Sequence, residues 1–162
     1  QEFEEAVKRL LQQFSHGFQS DAFRVVAAPI KTKHRMREKV KSYAQELADT
    51  SLRLSDAPLV AALPLSSQIL DPVRCSVVCV HANALLQYAK WVIGNGSKLG
   101  LPVVRCKNKF AVTDASEYDG YRDLMLSVLF TGREGLSIIG EIQLHVDSMY
   151  PVKVKMHRLY KV

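Results

Sequence analysis

Two strand-like segments joined by a short turn place the strongest constraint on the fold of this chain. Residues 121–130 and 136–145 are rich in β-branched and apolar side chains, and the turn between them contains two glycines. This pattern predicts a β-hairpin. Alternation in the second strand places Glu141, Gln143 and His145 on one face and apolar side chains on the other. The hairpin is therefore expected to have a polar face and a core face.

Helical and strand-like periods alternate along the rest of the chain. Helices are predicted where apolar residues recur every three or four positions: 2–14, 31–50 and 82–93. Further strands are predicted by β-branched content: 23–30, 72–80 and 101–106. We expect Gly94–Gly96 to end the third helix in a left-handed turn, 51–70 to be a loop, and 147–162 to be a helix with Pro151 in its first turn. These elements predict an α+β fold in which helices flank a mixed sheet of about five strands.

Length and composition set the broad class of protein. The 162 residues lie near the single-domain size of about 150, so we expect one domain, 1–162, with an N-terminal helix and loop over 1–20 and a core over 21–162. The chain begins with Gln1, and we expect an excerpt of a longer protein. Three cysteines without a C-x-x-C pair argue against a disulfide framework and favour a reducing cytoplasmic compartment. No apolar run approaches the roughly 18 residues of a membrane span, so no membrane partner is expected; the oligomeric state stays open.

Positive charge is concentrated in one short segment. The formal net charge is +6, and residues 31–41 alone hold six lysines and arginines against one glutamate. On a helix Lys31, Arg35 and Lys39 recur at every fourth position and share a face, where like charges repel. A bound phosphate chain would compensate for this repulsion. A solvated helix face is the commoner outcome of a charge run and remains the alternative.

Carboxylates on the strands complete a candidate site. Glu141 belongs to the polar face of the hairpin, Asp123 belongs to the polar face of its partner strand, and Asp71 immediately precedes the strand 72–80. Two or three carboxylates beside a basic helix suit magnesium-dependent phosphoryl or pyrophosphoryl transfer, in which carboxylates hold the metal and cations hold the phosphates. The alternative is the ordinary polar outer face of a half-buried sheet.

Two short motifs resemble a known family. Residues 120–124, Gly-Tyr-Arg-Asp-Leu, and 140–144, Gly-Glu-Ile-Gln-Leu, resemble the G-Y-R-S-L-H and E-I-Q-I-R-T signatures of the RelA/SpoT-type nucleotide pyrophosphokinase domain, which has a nucleotidyltransferase-like fold. Upstream, Lys31 and Lys39 lie in segments similar to its R-V-K-S…K-M, and Asp71 opens a segment similar to its D-I-x-G-x-R. The resemblance spans roughly residues 23–160 and identifies the chain as a divergent member.

The resemblance implies a reaction and a set of site residues. The reaction is a Mg²⁺-dependent transfer of pyrophosphate, or of a nucleotidyl group, from ATP to the 3′-hydroxyl of a nucleotide or of an RNA such as tRNA. Asp71 and Glu141 would be the catalytic and metal-binding residues. The expected ATP-binding residues are Lys31, Lys39 and Arg35. Arg35 and Arg37 would stand in for the arginine that the family has at position 29. The expected acceptor-binding residues are Tyr121, Arg122, Gln143 and His145.

Departures from the family pattern leave a second interpretation of the function open. Pro29, Met125 and His145 stand where the family has arginine, histidine and arginine, and Glu117 and Asp119 place negative charge near the expected acceptor site. That charge would repel GDP or GTP, the usual acceptors of the family. The alternative is a catalytically inactive RelA/SpoT-like module that binds nucleotide or RNA, or serves as a scaffold in a larger assembly.

Overall fold

A computed structural model of the protein describes residues 2–15, 22–51, 69–114 and 120–159. The helices and strands follow one another in this order: α1 (Glu2–Ser15), β1 (Phe23–Ala27), α2 (Lys33–Ser51), β2 (Val73–Cys79), α3 (Ala82–Asn95), β3 (Val103–Asn108), β4 (Leu124–Thr131), β5 (Ser137–Val146) and α4 (Tyr150–Leu159). Most of the predicted loop over 51–70, and Glu117 and Asp119, lie outside the described residues. No helix among the described residues is long and apolar enough to cross a membrane.

The five strands form one mixed sheet in the order β1-β2-β5-β4-β3. β2 and β5 are parallel, whereas the β1–β2, β5–β4 and β4–β3 pairs are antiparallel. The predicted α+β fold and the β4–β5 hairpin are confirmed. The strands β2 and β3 on either side of α3 run in the same direction, but the β4–β5 hairpin is inserted between them.

One face of the sheet carries the hydrophobic core, covered by α1 and α3. The core residues on β2, β4 and β5 alternate with the polar positions, and the helices contribute one apolar stripe each. The core is built mainly from Phe3, Val7, Leu10, Phe14, Cys75, Val77, Leu85, Tyr88, Val92, Leu126, Ile142 and Leu144. Burying such side chains contributes about 1.5–3 kcal/mol each, and this burial leaves the other face of the sheet available for polar groups.

Gly140 allows α1 to lie directly on β5. A Cβ atom placed on Gly140 would lie 2.5 Å from the Phe3 ring, which is buried against this strand. The first turn of α1 therefore requires glycine at this position. The contact joins the N-terminal helix to the core, so α1 is an integral layer of the fold.

The predicted end of α3 was wrong. The helix continues to Asn95 and passes into a 3-10 turn at Gly96–Leu99, with Gly96 still right-handed at φ −54°. The left-handed residue is Gly100, at φ 77°. Leu101 immediately follows it and is buried, so the chain turns where this side chain enters the core. The last helix behaves as expected: Pro151 occupies the first turn of α4, where a missing N–H costs no helical hydrogen bond.

Candidate functional site

The second face of the sheet carries a row of polar side chains on adjacent strands. In the β2–β5 register Arg74 lies beside Glu141 and Ser76 beside Gln143, and Ser127 on β4 lies on the other side of Glu141. Because Ile142 and Leu144 point into the core, their neighbours Glu141 and Gln143 project from the opposite face. The predicted alternation in this strand is confirmed.

Asp71 lies between two of the predicted lysines. Its carboxylate binds Lys31 Nζ through Oδ2 and Lys39 Nζ through Oδ1, the latter at 3.0 Å. The Lys31 N–H donates to the carbonyl of Pro72 at 3.2 Å, which fixes the start of this segment to the start of β2. Lys39 reaches the same carboxylate from the second turn of α2. Arg35 lies one turn before Lys39 and is exposed.

This Lys31–Asp71–Lys39 cluster explains how the basic segment tolerates its charge. Burial alone would raise the pKa of Asp71, but the hydrogen bonds from Lys31 and Lys39 outweigh it and lower that pKa, so the carboxylate is ionised. The side chains of Lys31 and Asp71 are only 10% and 14% exposed. Lys31 precedes α2, so the predicted shared helix face is wrong for this residue, and Lys31 and Lys39 meet at Asp71 instead. The negative charge that compensates them in this structure is a carboxylate of the protein.

Glu141 is a half-buried carboxyl group on β5. Burial raises its pKa, and the nearby charge of Asp71 adds to the effect, whereas a hydrogen bond from Gln143 opposes it. That bond runs from Gln143 Nε2 to Glu141 Oε1 at 2.5 Å. The charge of Asp71 thus disfavours ionisation of Glu141.

Lys153 on α4 lies under the polar row, a position that no pattern in the sequence predicted. Its Nζ contacts Ser76 Oγ at 2.6 Å, Gln143 Oε1 at 2.5 Å and His145 Nε2 at 2.9 Å. Burial lowers the pKa of this lysine to about 8. In the sequence nothing separates Lys153 from the exposed Lys155, because only the rotation of α4 over the sheet selects which of them faces inward.

The predicted acceptor residues fall into two groups. His145 is fully buried, with Nδ1 at 2.8 Å from Tyr121 Oη, so Tyr121 belongs to the cluster around Lys153. The Arg122 guanidinium donates instead to two backbone carbonyls, of Tyr121 at 3.1 Å and of Asp114 at 3.2 Å, and so shapes the connection before β4.

A buried ion pair supports this corner of the site. Asp123, only 2% exposed, pairs with Lys109 at 3.0 Å, and Lys109 Nζ lies 5.1 Å from the centroid of the Tyr121 ring. Strand alternation predicted Asp123 on the polar face, but no local pattern pointed to Lys109 as its partner. Lys109 lies in a short 3-10 turn whose position the hydrophobic pattern does not encode.

The residues that could hold a metal ion are Asp71 and Glu141. Among the residues that the structure describes, no group of three or more His, Cys, Asp or Glu side chains is arranged to hold a metal. Mg²⁺ does not need such a group, since it is commonly held by one or two carboxylates together with substrate phosphates. The ionised Asp71 and the half-buried Glu141 are oxygen donors of the kind that suits Mg²⁺ bound together with a polyphosphate.

Comparison with solved structures relates this fold to known proteins. Two crystal structures of small alarmone synthetase 1 from Bacillus subtilis, the second bound to AMPCPP, match 99% of this chain and 72% and 71% of theirs, with TM-scores of 0.61 and 0.63 at 17% and 16% identity. Small alarmone synthetase 2 from Bacillus subtilis matches 98% of this chain and 72% of its own, with a TM-score of 0.57 at 13% identity. The chain has the fold of the RelA/SpoT-type small alarmone synthetases. No protein-family model and no curated protein sequence matches the chain.

The small alarmone synthetase fold confirms what the two hairpin motifs indicated about architecture. Both motifs lie where the fold brings polar groups together: residues 120–124 lead into β4, and residues 140–144 lie in β5 beside β2. With identities below one fifth, the likeness concerns the fold, and the chemistry has to be argued from the residues of this chain.

Proposed function

We propose that this domain transfers the pyrophosphate group of ATP to a ribose hydroxyl of a nucleotide. The observation that carries the proposal is the Lys31–Asp71–Lys39 cluster, whose charge acts on the half-buried Glu141 of β5. The fold supports it, because one structure with this fold, a small alarmone synthetase, was solved with AMPCPP, an analogue of ATP.

The lysines are proposed to bind the ATP phosphates. Two ammonium groups that meet at one carboxylate can bind a second anion with little rearrangement, and charge-assisted hydrogen bonds to phosphate are about twice as strong as neutral ones. Arg35 is exposed in the first turn of α2, between Lys31 and Lys39 in the chain, where it can add a third cation.

Asp71 and Glu141 are proposed to hold Mg²⁺. When bound, the ion supplies positive charge that offsets the charge of the triphosphate during transfer. Asp71 is ionised and so can serve as a ligand, and burial of Glu141 strengthens its interaction with any cation that enters.

The transfer itself is an in-line displacement. The acceptor hydroxyl oxygen forms a bond to the β-phosphorus of ATP, the bond from that phosphorus to the oxygen bridging to the α-phosphate breaks, and AMP leaves. The hydroxyl proton passes to a base. Glu141 suits this role because burial raises its pKa towards the range in which a carboxylate accepts a proton effectively.

The acceptor is proposed to lie against Tyr121. The Tyr121 ring is partly exposed and is held by the hydrogen bond between Tyr121 and His145, so the ring can stack on a nucleobase. In this scheme Gln143 and His145 support the site from within the sheet, and Arg122 holds the chain segment that carries Tyr121.

The proposal is tested by label transfer from γ-labelled ATP in the presence of Mg²⁺. The acceptors are GDP, GTP, ADP and AMP, with a tRNA as the RNA alternative. We expect transfer to at least one nucleotide, and Glu141→Gln is expected to lower the rate by roughly 10²–10⁴-fold. Glu134→Gln, which changes an exposed carboxylate in the β4–β5 turn, is the matched control and should be unchanged. No transfer to any acceptor, or transfer undiminished by Glu141→Gln, would sink the proposal.

A second candidate is a module that binds ATP without turning it over. It is favoured by the observation that both carboxylate oxygens of Asp71 already bind lysines. Binding of AMPCPP that is weakened by Lys31→Ala, with no label transfer, would select this candidate.

A further inference from the structure

Lys153 connects α4 to the centre of the polar row. Lys153 is the fourth residue of α4. It faces the sheet, whereas its chain neighbours Val152 and Val154 are exposed. Its three contacts come from two strands: Ser76 on β2, and Gln143 and His145 on β5. A protonated lysine donates hydrogen bonds and cannot accept them. Each of its partners must therefore turn an acceptor atom towards it.

That requirement fixes the orientation of the Gln143 amide. A glutamine side chain carries one acceptor and two donor positions, and rotation by 180° exchanges them. Lys153 Nζ faces Oε1 at 2.5 Å, and so Nε2 must point the other way. On that side lies Glu141 Oε1, also at 2.5 Å. The flipped amide would direct an acceptor at the carboxylate and a donor at the ammonium, and both contacts would be repulsive.

We propose that Lys153 is a positioning residue for Glu141, and that it acts by holding the Gln143 amide so that Nε2 donates to the carboxylate. The inference rests on the proposed function for its catalytic consequence, whereas the orientation of the amide is a property of the protein alone. Lys153 contacts Gln143 and not Glu141, so it is expected to alter turnover without taking part in binding ATP.

Kinetics test whether Lys153 acts through Gln143. Lys153→Met keeps the length of the side chain but removes the donor, and is expected to lower kcat roughly 10- to 100-fold, the range for partners that orient a ligand or catalytic group, with the KM for ATP unchanged. Lys155→Met, an exposed lysine on the same helix, is the matched control. Because both residues act on one carboxylate in series, the double variant Lys153→Met/Gln143→Ala should lose no more activity than Gln143→Ala alone.

The orientation of the amide is measured independently of turnover by ¹H–¹⁵N NMR of the Gln143 side-chain NH₂ pair, assigned by its loss in Gln143→Ala. Lys153→Met should shift these resonances and speed their exchange with water, and Lys155→Met should leave them in place. If the wild-type protein transfers no label, the proposed function fails, and this measurement still decides the role of Lys153.

Two further variants separate positioning from a purely structural attachment of α4 to the sheet. Lys153→Arg keeps a head group that only donates and should retain most of the activity. Lys153→Gln keeps polar contact with Ser76 and His145, but its side chain can also accept a hydrogen bond, which frees the Gln143 amide to flip. This variant should lose activity as Lys153→Met does. It replaces Lys153→Met in the test if that variant fails to fold. Unchanged Gln143 resonances in Lys153→Met and Lys153→Gln, or losses that multiply in the double variant, would overturn the proposal.

Discussion

At the scale of single residues, the site is defined by lysine side chains that contact oxygen atoms of partly or fully buried side chains. The charge run pointed to Lys31 and Lys39, because their spacing already predicts a shared face. Asp71 as their partner was not predicted, since it is 32 residues from Lys39 and no local pattern links the two. Lys153 carried no signal at all, because burial of one lysine rather than another depends on how α4 rotates over the sheet.

Lys31→Ala is expected to weaken AMPCPP binding by roughly 10- to 100-fold, because a charge-assisted hydrogen bond contributes about 1.5–3 kcal/mol. Lys33→Ala removes an exposed lysine at the start of α2 and is the control. Isothermal titration calorimetry in the presence of Mg²⁺ measures both. Equal weakening in the two variants would mean that the basic segment acts only through its overall charge.

Burial of Lys153 predicts a pH dependence of stability. Its pKa in the folded protein is about 8, below the ordinary value of 10.5, so the unfolded chain holds this proton more tightly. Below about pH 8 both states are protonated and the cost of burying the charge is present in full. Between these two pKa values the folded protein has released the proton, and the free energy of unfolding rises with pH by on the order of 3 kcal/mol.

Urea unfolding at a series of pH values measures this effect as the difference between the wild type and Lys153→Met. The subtraction removes contributions from other groups that titrate in the same range. The gap between the two curves should change in favour of the wild type from about pH 8 upwards. Parallel curves would show that Lys153 keeps an ordinary pKa.

At the scale of elements, periodicity predicted which segments are helices and strands better than where they end. The β5 strand was recognisable because its two faces differ in polarity, and that difference persists in the fold. The predicted end of α3 lay too early in the chain. Glycines alone do not end a helix when the side chains of the following residues still fit in a helical conformation. The turn occurs at Gly100, just before the buried Leu101, and burial of that side chain is a tertiary effect.

Packing of α1 on β5 predicts that Gly140→Ala destabilises the protein by about 1–3 kcal/mol, because the added methyl group overlaps the buried Phe3 ring. Gly94→Ala is the matched control: this glycine is exposed in α3 with nothing within 4 Å of an added Cβ, and alanine there should stabilise the helix by about 0.5–1 kcal/mol. Thermal unfolding gives both values. If Gly140→Ala is as stable as the wild type, α1 does not pack on β5 as closely as described.

At the scale of the whole molecule, the mixed sheet was predictable but its strand order was not. The patterns gave the number of strands, and the two hairpin motifs indicated the family fold. The insertion of β5 and β4 between β2 and β3 depends on long-range pairing, which local sequence does not encode. That insertion determines the layout of the candidate site. It places Glu141 beside Arg74 on β2, and it brings β5, the strand that carries Glu141, close to Asp71.

If this arrangement moves the pyrophosphate group of ATP, the nucleotide products must show it. Quantitative separation of the products, with the acceptor found in the label-transfer panel, distinguishes three outcomes. Pyrophosphoryl transfer leaves AMP in an amount equal to that of an acceptor carrying two added phosphates, and both should disappear in Asp71→Asn and Glu141→Gln. Release of free pyrophosphate with a nucleotidylated acceptor, or of ADP with a singly phosphorylated one, would contradict the account.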